Sequence, residues 1–192
     1  MGAPNEDSAA TGVDGDESSN FAQNAGAVYI FTRRGTTWSR QAYIKASNAD
    51  ASDAFGQGVT LSADGSTLAV AAPFEDSAAS SVGGNQADNS AGDAGAAYVF
   101  TRSDTQWDQQ YYVKASNPDP GDQFGGAFAF ENPFYHAQSV ALSGDGTTLV
   151  IGSHFEDSAA ITVDGEPNNN SSQNSGAVYV FSHRRMARDA SQ

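Results

Sequence analysis

Short apolar runs separated by polar loops extend along the whole chain, and none has the spacing of an amphipathic helix. Four of them follow one another in the middle of the sequence, at 55–62, 67–72, 96–101 and 107–115. The first alternates Val59 and Leu61 with polar neighbours, as a half-buried strand does, whereas the second is apolar throughout, as in a strand buried on both faces. Asp64-Gly65 between them is a strong hairpin signal. The pattern predicts an all-β fold built from units of four short antiparallel strands.

The fourth run has the clearest two-residue period of this unit. Regular alternation places Trp107, Tyr111 and Val113 on one face of the predicted strand, and Tyr112 and Lys114 on the other. We therefore expect the Trp and the second Tyr to point to opposite sides of the sheet.

The same landmarks return along the chain. Gly-Ala-Val-Tyr-Ile-Phe-Thr-Arg at 26–33 recurs, with small changes, at 95–102 and 176–182, which are 69 and then 81 residues further on. A Glu-Asp-Ser-Ala-Ala motif keeps the same two spacings, at 6–10, 75–79 and 156–160. The extra 12 residues of the third copy are the segment 126–137. This segment is an insertion in one repeat and not a separate domain.

The repeat divides the chain into three units and a tail. Residues 1–46 form a partial unit with a long loop and two strands, 55–115 a complete unit, and 124–182 a partial unit that carries the insertion, followed by a tail at 183–192. These units together predict nine strands. Four short antiparallel strands per repeat describe a β-propeller blade, and neighbouring blades bury each other's faces. About 2–3 blades make an incomplete propeller, because closed ones have roughly four to eight.

These motifs resemble FG-GAP repeats, the blades of the integrin alpha-chain propeller. The likeness rests on Phe55-Gly56 before the first strand, on Ala71-Ala72-Pro73 after the second, and on Gly-Ala-(Val/Ala)-Tyr-(Val/Ile)-Phe in the third. A fourth strand that runs from Trp107 to Asn117 is most similar to the bacterial members. The resemblance implies an extracellular or cell-surface, non-enzymatic module for structure, adhesion or protein and glycan interaction. The alternative function is that of an accessory segment in a larger secreted, hydrolase-like enzyme.

The third unit lacks a recognisable fourth strand. Residues 183–192 contain neither the Trp nor the Lys-Ala-Ser ending of the other copies. Unpaired strand edges are association sites, so the chain is either a fragment of a longer propeller or a subunit that self-associates through its open edges. The abrupt divergence after Ser182 favours the fragment.

Charge and composition exclude several classes of partner. Nine Lys and Arg residues stand against 23 Asp and Glu, for a net charge of −14, which disfavours binding to nucleic acid. No apolar run reaches the roughly 18–20 residues of a membrane helix, so we expect no membrane insertion. The absence of cysteine excludes thiolate metal sites and disulfides. The first residues lack the basic and apolar stretches of a signal peptide.

Calcium is the one cofactor for which the sequence offers candidates. The resemblance implies a calcium loop with several carboxylates between the first two strands, but Asp64 and Asp145 stand alone there and are interpreted as turn residues. Asp14, Asp16 and Glu17 in the first long loop are a second possibility, since hard cations prefer oxygen ligands. A solvated acidic loop is the favoured alternative.

Catalytic motifs are absent from the sequence, and we expect no enzymatic activity. No nucleophile elbow, phosphate-binding loop or dinucleotide fingerprint occurs. The Glu-Asp-Ser motif is present in all three units, and a unique active site would not need three copies. This repetition indicates a structural task that is done once per blade.

The insertion is the only unrepeated part with a candidate ligand site. It holds five residues that favour ligand contacts: Phe128, Phe130, Phe134, Tyr135 and His136. Aromatic side chains anchor interfaces and stack on sugars, so the segment is a candidate protein- or glycan-binding loop. An equally weighted alternative is that it folds back over a blade edge.

Overall fold

The computed structural model describes residues 1–126 and 139–183. The secondary structure of this part of the chain consists of ten β-strands. In chain order they are β1 (Gly2–Ala3), β2 (Ala27–Arg34), β3 (Thr37–Ile44), β4 (Gly58–Leu61), β5 (Thr67–Ala72), β6 (Ala96–Ser103), β7 (Gln106–Val113), β8 (Val140–Leu142), β9 (Thr148–Ser153) and β10 (Ala177–Ser182). The described residues include no helix that is long and apolar enough to span a bilayer.

The strands form three separate antiparallel sheets. The first has the order β1-β2-β3, the central one β4-β5-β6-β7, and the third β8-β9-β10. Each is a meander in which neighbours in sequence are neighbours in space. The all-β prediction of antiparallel blades in an open, incomplete array is confirmed.

Strand β1 is a tenth strand that the hydrophobic pattern did not predict. Gly2 pairs with Val28 and Ala3 with Ala27, in the register that joins Ala71 to Ala97 and Ala72 to Ala96 in the central sheet. It is therefore the last part of a second blade strand. Two small residues are too short a segment to show alternation, which is why the pattern missed it.

The predicted alternation along β7 is wrong beyond its middle. The register between β6 and β7 shifts between Val99 and Phe100, which is a β-bulge, and β2 and β3 share it between Ile30 and Phe31. A bulge adds one residue to one strand, so the side chains beyond it change faces. Trp107 consequently packs in the same apolar cluster as Tyr112, while Val113 belongs to the cluster on the opposite face.

Two apolar layers hold the three sheets together. Between the first and central sheets lie Val28, Ile44, Phe55, Val70, Tyr98 and Phe100, among others. Between the central and third sheets lie Val99, Val113, Phe124, Leu149 and Ile151. The central sheet is thus covered on both faces, as stacked blades require. Each layer holds one Phe of a Phe-Gly pair.

Those phenylalanines make equivalent ring contacts at the two interfaces. Phe55 meets Tyr98 edge-on with ring centroids 5.3 Å apart, and Phe124 meets Tyr179 in the same way at 5.3 Å. Edge-to-face contacts of this kind are a favourable arrangement for aromatic rings. The Phe-Gly motif therefore begins one blade while its ring packs on the third strand of that same blade.

Gly95 is required where the next blade begins. It has a φ of +81°, and an added Cβ would lie 2.5 Å from the backbone N and O of Phe124. Gly26 has the same relation to Phe55, with a φ of +83° and a Cβ distance of 2.1 Å to its carbonyl oxygen. The two recurring motifs of the chain, Gly-Ala and Phe-Gly, are thus two sides of one close backbone contact.

Candidate functional site

The repeated Glu-Asp-Ser motif begins each long loop after a second strand, and its aspartates and serines fold that loop. The aspartate accepts a hydrogen bond from a backbone N–H 17 residues later: Asn24 to Asp7 at 2.7 Å, Asp93 to Asp76 at 2.8 Å, and Asn174 to Asp157 at 2.7 Å. The serine hydroxyl donates to a backbone carbonyl eight residues later: Ser8 to Asp16, Ser77 to Asn85, and Ser158 to Glu166. Each pair closes one end of the loop, in line with the predicted structural role.

The glutamate of the motif instead points into the structure. Glu75 is 1% exposed, and its carboxylate accepts hydrogen bonds from Lys114 Nζ at 2.8 Å and Tyr112 Oη at 2.8 Å. Both donors lie at the end of the fourth strand of the same blade. The Ser77 amide is a third donor, at 3.1 Å. A buried carboxylate that is paired and fully hydrogen-bonded in this way avoids most of the cost of desolvation.

The preceding blade supplies a further hydrogen-bond donor to Glu75. Asn48 Nδ2 donates to its Oε1 at 2.9 Å, while Asn48 Oδ1 accepts from Tyr98 Oη at 2.7 Å. Asn48 also donates to the carbonyl of Gln86 at 3.0 Å. One asparagine therefore joins the end of one blade to two elements of the next.

Burial sets the protonation of this cluster. It raises the pKa of Tyr112, with the nearby Glu75 charge as the second cause, so the phenol stays protonated and continues to donate. Burial lowers the pKa of Lys114, and the Glu75 carboxylate opposes that shift. Lys114 and Glu75 thus form a buried ion pair, and the Tyr112 hydroxyl donates to the same carboxylate.

The same cluster is present in the first blade in reduced form. Lys45 Nζ donates to Glu6 Oε2 at 2.9 Å, and the lysine side chain is fully buried while Glu6 is 14% exposed. Lys45 and Lys114 are the lysines of the two Lys-Ala-Ser-Asn motifs. In both blades, therefore, the lysine of the Lys-Ala-Ser-Asn motif forms an ion pair with the glutamate of the Glu-Asp-Ser motif.

The third blade contains the glutamate but, within residues 1–126 and 139–183, no lysine partner for it. Glu156 is 1% exposed and accepts from Asn117 Nδ2 at 2.9 Å and from the Ser158 amide at 3.0 Å. Tyr179 Oη donates to Asn117 Oδ1 at 2.8 Å, as Tyr98 does to Asn48. The asparagine contacts that join two blades are therefore present here. The lysine and tyrosine contacts that Glu75 receives from the fourth strand have no counterpart among the described residues.

Two aspartates near the blade boundaries hold protons unusually tightly. Burial raises the pKa of Asp53 to about 7 and that of Asp122 to about 6. Each accepts one backbone hydrogen bond, from Asp50 at 2.9 Å and from Asp119 at 3.0 Å, which only partly offsets the burial. They occupy equivalent positions, two residues before Phe55 and Phe124.

The three candidate calcium ligands have separate partners. Asp14 accepts from the Tyr43 amide at 2.9 Å, and Asp16 accepts from the amide and hydroxyl of Ser18 at 3.0 and 2.6 Å. Glu17 pairs with Arg40 at 2.7 Å. In the part of the chain that the structure describes, no three His, Asp or Glu side chains are placed to hold a metal ion. Calcium binding at these residues stays a prediction.

Asp64 and Asp145 are the turn residues of the β4–β5 and β8–β9 hairpins. Asp64 accepts from the Ser62 hydroxyl at 2.6 Å and the Ser66 amide at 3.0 Å, and these hydrogen bonds lower its pKa to about 2. Asp145 makes the equivalent bonds to Ser143 and Thr147. Each side chain folds its own hairpin, as an Asx turn does.

The aromatic candidates of the insertion lie outside the described residues. These are Phe128, Phe130, Phe134, Tyr135 and His136. Their role as a ligand-binding loop stays a prediction.

Comparison with known families matches one segment of the chain. A family model described as FG-GAP repeat matches residues 38–100. This segment holds Phe55-Gly56, Ala71-Ala72-Pro73 and the first part of the third strand β6, all of which lie at the first blade interface. The chain contains an FG-GAP repeat. No curated protein matches the chain.

The matched FG-GAP repeat is offset from the structural blade. It begins in β3 of the first sheet and ends in β6 of the central one, so it contains Asn48 and Glu75 from both sides of the interface. The FG-GAP sequence unit therefore encodes a junction between blades as much as a blade. FG-GAP repeats form β-propeller-like interaction modules, and the stacked sheets of this chain have that architecture.

Sequence reasoning missed the partnership of Asn48, Lys114 and Glu75. The signal was present, because Lys-Ala-Ser-Asn and Glu-Asp-Ser keep the same spacing in the first two units. A shared spacing shows that two motifs belong to one repeat, but it does not show that they touch. Their contact depends on how the blades stack.

Proposed function

We propose that this chain is a non-enzymatic propeller segment of an extracellular or cell-surface protein, and that it acts as a structural and adhesive module for protein or glycan ligands. One observation carries the proposal: the repeated polar residues are used by the scaffold. Lys114 pairs with Glu75 inside the central blade, and Asn48 of the first blade donates to Glu75 across the blade boundary. The motif aspartates accept hydrogen bonds from the loop backbone. A rigid scaffold with long polar loops is a common setting for binding sites.

The charge distribution narrows the ligand class. The net charge is −14, and Asp14, Asp16, Asp88, Asp164 and Glu166 lie in the long loops. A surface of this sign repels nucleic acid and anionic lipid and favours neutral or cationic ligands. Neutral glycans and basic protein segments fit this condition.

The insertion 126–137 is the proposed contact for such a ligand. It joins Phe124-Gly125, at the interface of the central and third blades, to strand β8. The corresponding connection of the central blade passes from Phe55-Gly56 to Gly58 without an insertion. Removal of the 12 residues therefore restores a connection that the repeat already uses, which makes the deletion a fair test.

The experiment compares the full chain with the deletion of 126–137 on a neutral glycan array and against immobilised extracellular-matrix proteins. We expect the full chain to bind a subset of these and the deletion variant to lose that binding, while circular dichroism and melting temperature show that the sheets are retained. Undiminished binding by a folded deletion variant would show that the ligand contacts the chain outside the insertion. Glycoside or peptide hydrolysis by the purified chain would contradict the non-enzymatic role.

The alternative, an accessory segment of a larger secreted hydrolase-like enzyme, makes a different prediction. A catalytic domain in the same open reading frame would favour it, whereas a run of further FG-GAP repeats would favour the adhesive module. The sequence of the complete reading frame distinguishes the two.

A further inference from the structure

Two side-chain nitrogens from different blades contact the same buried carboxylate. Lys114 Nζ donates to Glu75 Oε2 at 2.8 Å, and Asn48 Nδ2 donates to Glu75 Oε1 at 2.9 Å. Glu75 is 1% exposed, and the side chain of Lys114 is fully buried. The cluster therefore brings together an amine, an amide and a group that can carry a proton from one to the other.

The amine lies in surroundings that favour its neutral form more than water does. Burial lowers the pKa of Lys114, and the Glu75 carboxylate opposes that shift. A neutral, desolvated amine is a nucleophile, whereas an ammonium group is not. The carboxylate that contacts Nζ is also placed to accept the proton that the amine must lose. Lys114 thus has a base beside it and surroundings that activate it.

The amide of Asn48 is held by hydrogen bonds at both of its ends. Its Oδ1 accepts from Tyr98 Oη at 2.7 Å, and the burial of Tyr98 raises the pKa of the phenol, which therefore stays a donor. A donor at this oxygen stabilises the negative charge that develops when a nucleophile adds to the carbonyl carbon. Nδ2 donates to the Gln86 carbonyl at 3.0 Å as well as to Glu75. The carbon is therefore polarised, and its nitrogen contacts a group that can protonate it.

The three parts occur together only in the central cluster, as far as the described residues show. In the first blade, Lys45 pairs with Glu6, and no described asparagine donates to that carboxylate. In the third blade, Asn117 and Tyr179 repeat the amide half of the cluster on Glu156, and no described lysine contacts it. The two partial clusters are therefore internal controls for the complete one.

We propose that Lys114 and Asn48 form an intramolecular amide bond that covalently joins the first and central blades. Lys114 Nζ attacks Asn48 Cγ, so that the Nζ–Cγ bond forms and the Cγ–Nδ2 bond breaks. Two of the three ammonium protons pass by way of the Glu75 carboxylate to the departing nitrogen, which leaves as an ammonium ion. The third proton stays on the new amide, and Glu75 ends the reaction ionised, as it began. The reaction requires no oxidant and no co-reactant.

The ion pair in the structure is the state before this reaction. Attack requires Nζ to come to about 3–3.5 Å from Cγ, and the flexible stem of Lys114 allows Nζ to move along the carboxylate from Oε2 towards Oε1. Because both groups are already held on one carboxylate, the reaction avoids the entropy loss of a bimolecular encounter. Asn48 is half-buried and follows the exposed Ser47, so the ammonium ion has a short path to solvent.

The bond is a single reaction within one chain and involves no turnover of a substrate. It links the segment after β3 to the residue that follows β7, and it persists when the protein is denatured. The inference concerns the junction between two blades, and it stands or fails independently of any ligand at the insertion.

Intact mass spectrometry of the purified full chain, followed over days of incubation in the folded state, tests the proposal. We expect the mass to fall by one ammonia molecule. Trypsin should then release segments 46–102 and 103–184 as one branched peptide, because acylated Lys114 is no longer a cleavage site. Fragmentation should place the bond between Asn48 and Lys114. An unchanged mass would overturn the proposal, as would ammonia loss without the branched peptide, the result expected of cyclisation at an asparagine.

Matched variants separate this reaction from other losses of ammonia. Lys114→Met, Asn48→Ala and Glu75→Gln should each keep the unreacted mass. Lys45→Met and Asn117→Ala change the equivalent residues of the partial clusters and should react like the parent protein. Loss of ammonia that continues in Lys114→Met would contradict the proposed bond.

Tyr98→Phe tests the mechanism without removing a reacting group. It keeps the ring that packs on Phe55 and removes the hydroxyl that donates to Asn48. We expect the bond to form about a hundredfold more slowly, as for the loss of one donor to a developing oxyanion. Tyr179→Phe is the control, since it removes the equivalent hydroxyl from Asn117 and should leave the rate unchanged. Circular dichroism verifies that both variants fold, and equal rates in the two would overturn the proposed activation of the amide.

Discussion

At the scale of single residues, the chain has ion pairs of two kinds. Arg40 and Glu17 are 49% and 40% exposed, and a surface pair of this type contributes little to stability. The side chains of Lys114 and Glu75 are 0% and 2% exposed and share their environment with Tyr112 and Asn48. Removal of one member of the buried pair leaves a charge without compensation, so the two pairs should respond very differently to substitution.

The first prediction follows from this contrast. Lys114→Met is expected to lower the free energy of unfolding by about 3 kcal/mol, because the Glu75 carboxylate stays buried and loses its cation. Urea denaturation measures the change. Arg40→Met is the control and should cost less than about 1 kcal/mol. Adding Glu75→Gln to Lys114→Met should recover part of the loss, and a further additive loss in the double variant would contradict the pairing.

A second prediction concerns the pH dependence of stability. Burial raises the pKa of Asp53 to about 7, above the value of about 3.9 for an unfolded aspartate. The folded state therefore binds this proton more tightly than the unfolded state, and the resulting stabilisation is complete below about pH 4 and is lost as the pH rises to about 7. Asp53→Asn retains an acceptor for the Asp50 amide and does not ionise. It should match the parent protein near pH 4 and exceed its free energy of unfolding by on the order of 4 kcal/mol at pH 8.

Asp64→Asn is the matched control for this measurement. Its carboxylate is exposed, and hydrogen bonds lower its pKa to about 2, so its contribution is present above about pH 4 and is lost as the pH falls. The difference between this variant and the parent should therefore stay constant between pH 5 and 8. Chemical denaturation at several pH values tests both variants, and a constant difference for Asp53→Asn over the same range would contradict a raised pKa.

At the scale of elements, the close contact between one blade and the next depends on Gly95. An alanine there would have a φ of +81° and would place its Cβ 2.5 Å from backbone atoms of Phe124. Gly35, in the turn between β2 and β3, has a φ of +60° and open space around it. The two glycines therefore separate the cost of the conformation from the cost of the contact.

The third prediction uses this pair of sites. Gly35→Ala should cost about 1 kcal/mol, the price of a left-handed conformation alone. Gly95→Ala should cost that amount and about 1–3 kcal/mol more, because backbone must move to admit the methyl group. Thermal or urea unfolding of the two variants measures the difference. Equal losses would show that the blade junction accommodates a side chain.

Local patterns predicted the strands well and the contacts between them poorly. The repeat located nine strands because apolar positions and turn residues lie next to one another in sequence, and it missed β1 because Gly2 and Ala3 show no alternation. The bulge between Val99 and Phe100 also left no local signal, and so Trp107 was assigned to the wrong face. At the candidate site, the motifs of Asn48 and Glu75 were visible, but their contact joins two blades and is set by stacking.

At the scale of the whole molecule, the position of a sheet in the stack decides how well it is protected. Strand β5 is buried in all but its first residue, because the central sheet is covered by the first and third sheets on its two faces. Strand β10 alternates between half-buried and exposed residues, and Val178 and Val180 on its open face are 69% and 59% exposed. Local opening requires less free energy where fewer apolar contacts are broken.

The last prediction is therefore a gradient in amide hydrogen exchange. Amides of β5 and β6 should exchange only through global unfolding, whereas those of β10 should exchange through a local opening of lower free energy. Mass spectrometry of peptic fragments resolves the two regions. Lys114→Met provides an internal check, since a weakened central blade should bring the exchange of β6 closer to that of β10. Equal protection of both strands in the parent protein would mean that the three blades open as one unit, and that the outer face of β10 is not the weak side of the stack.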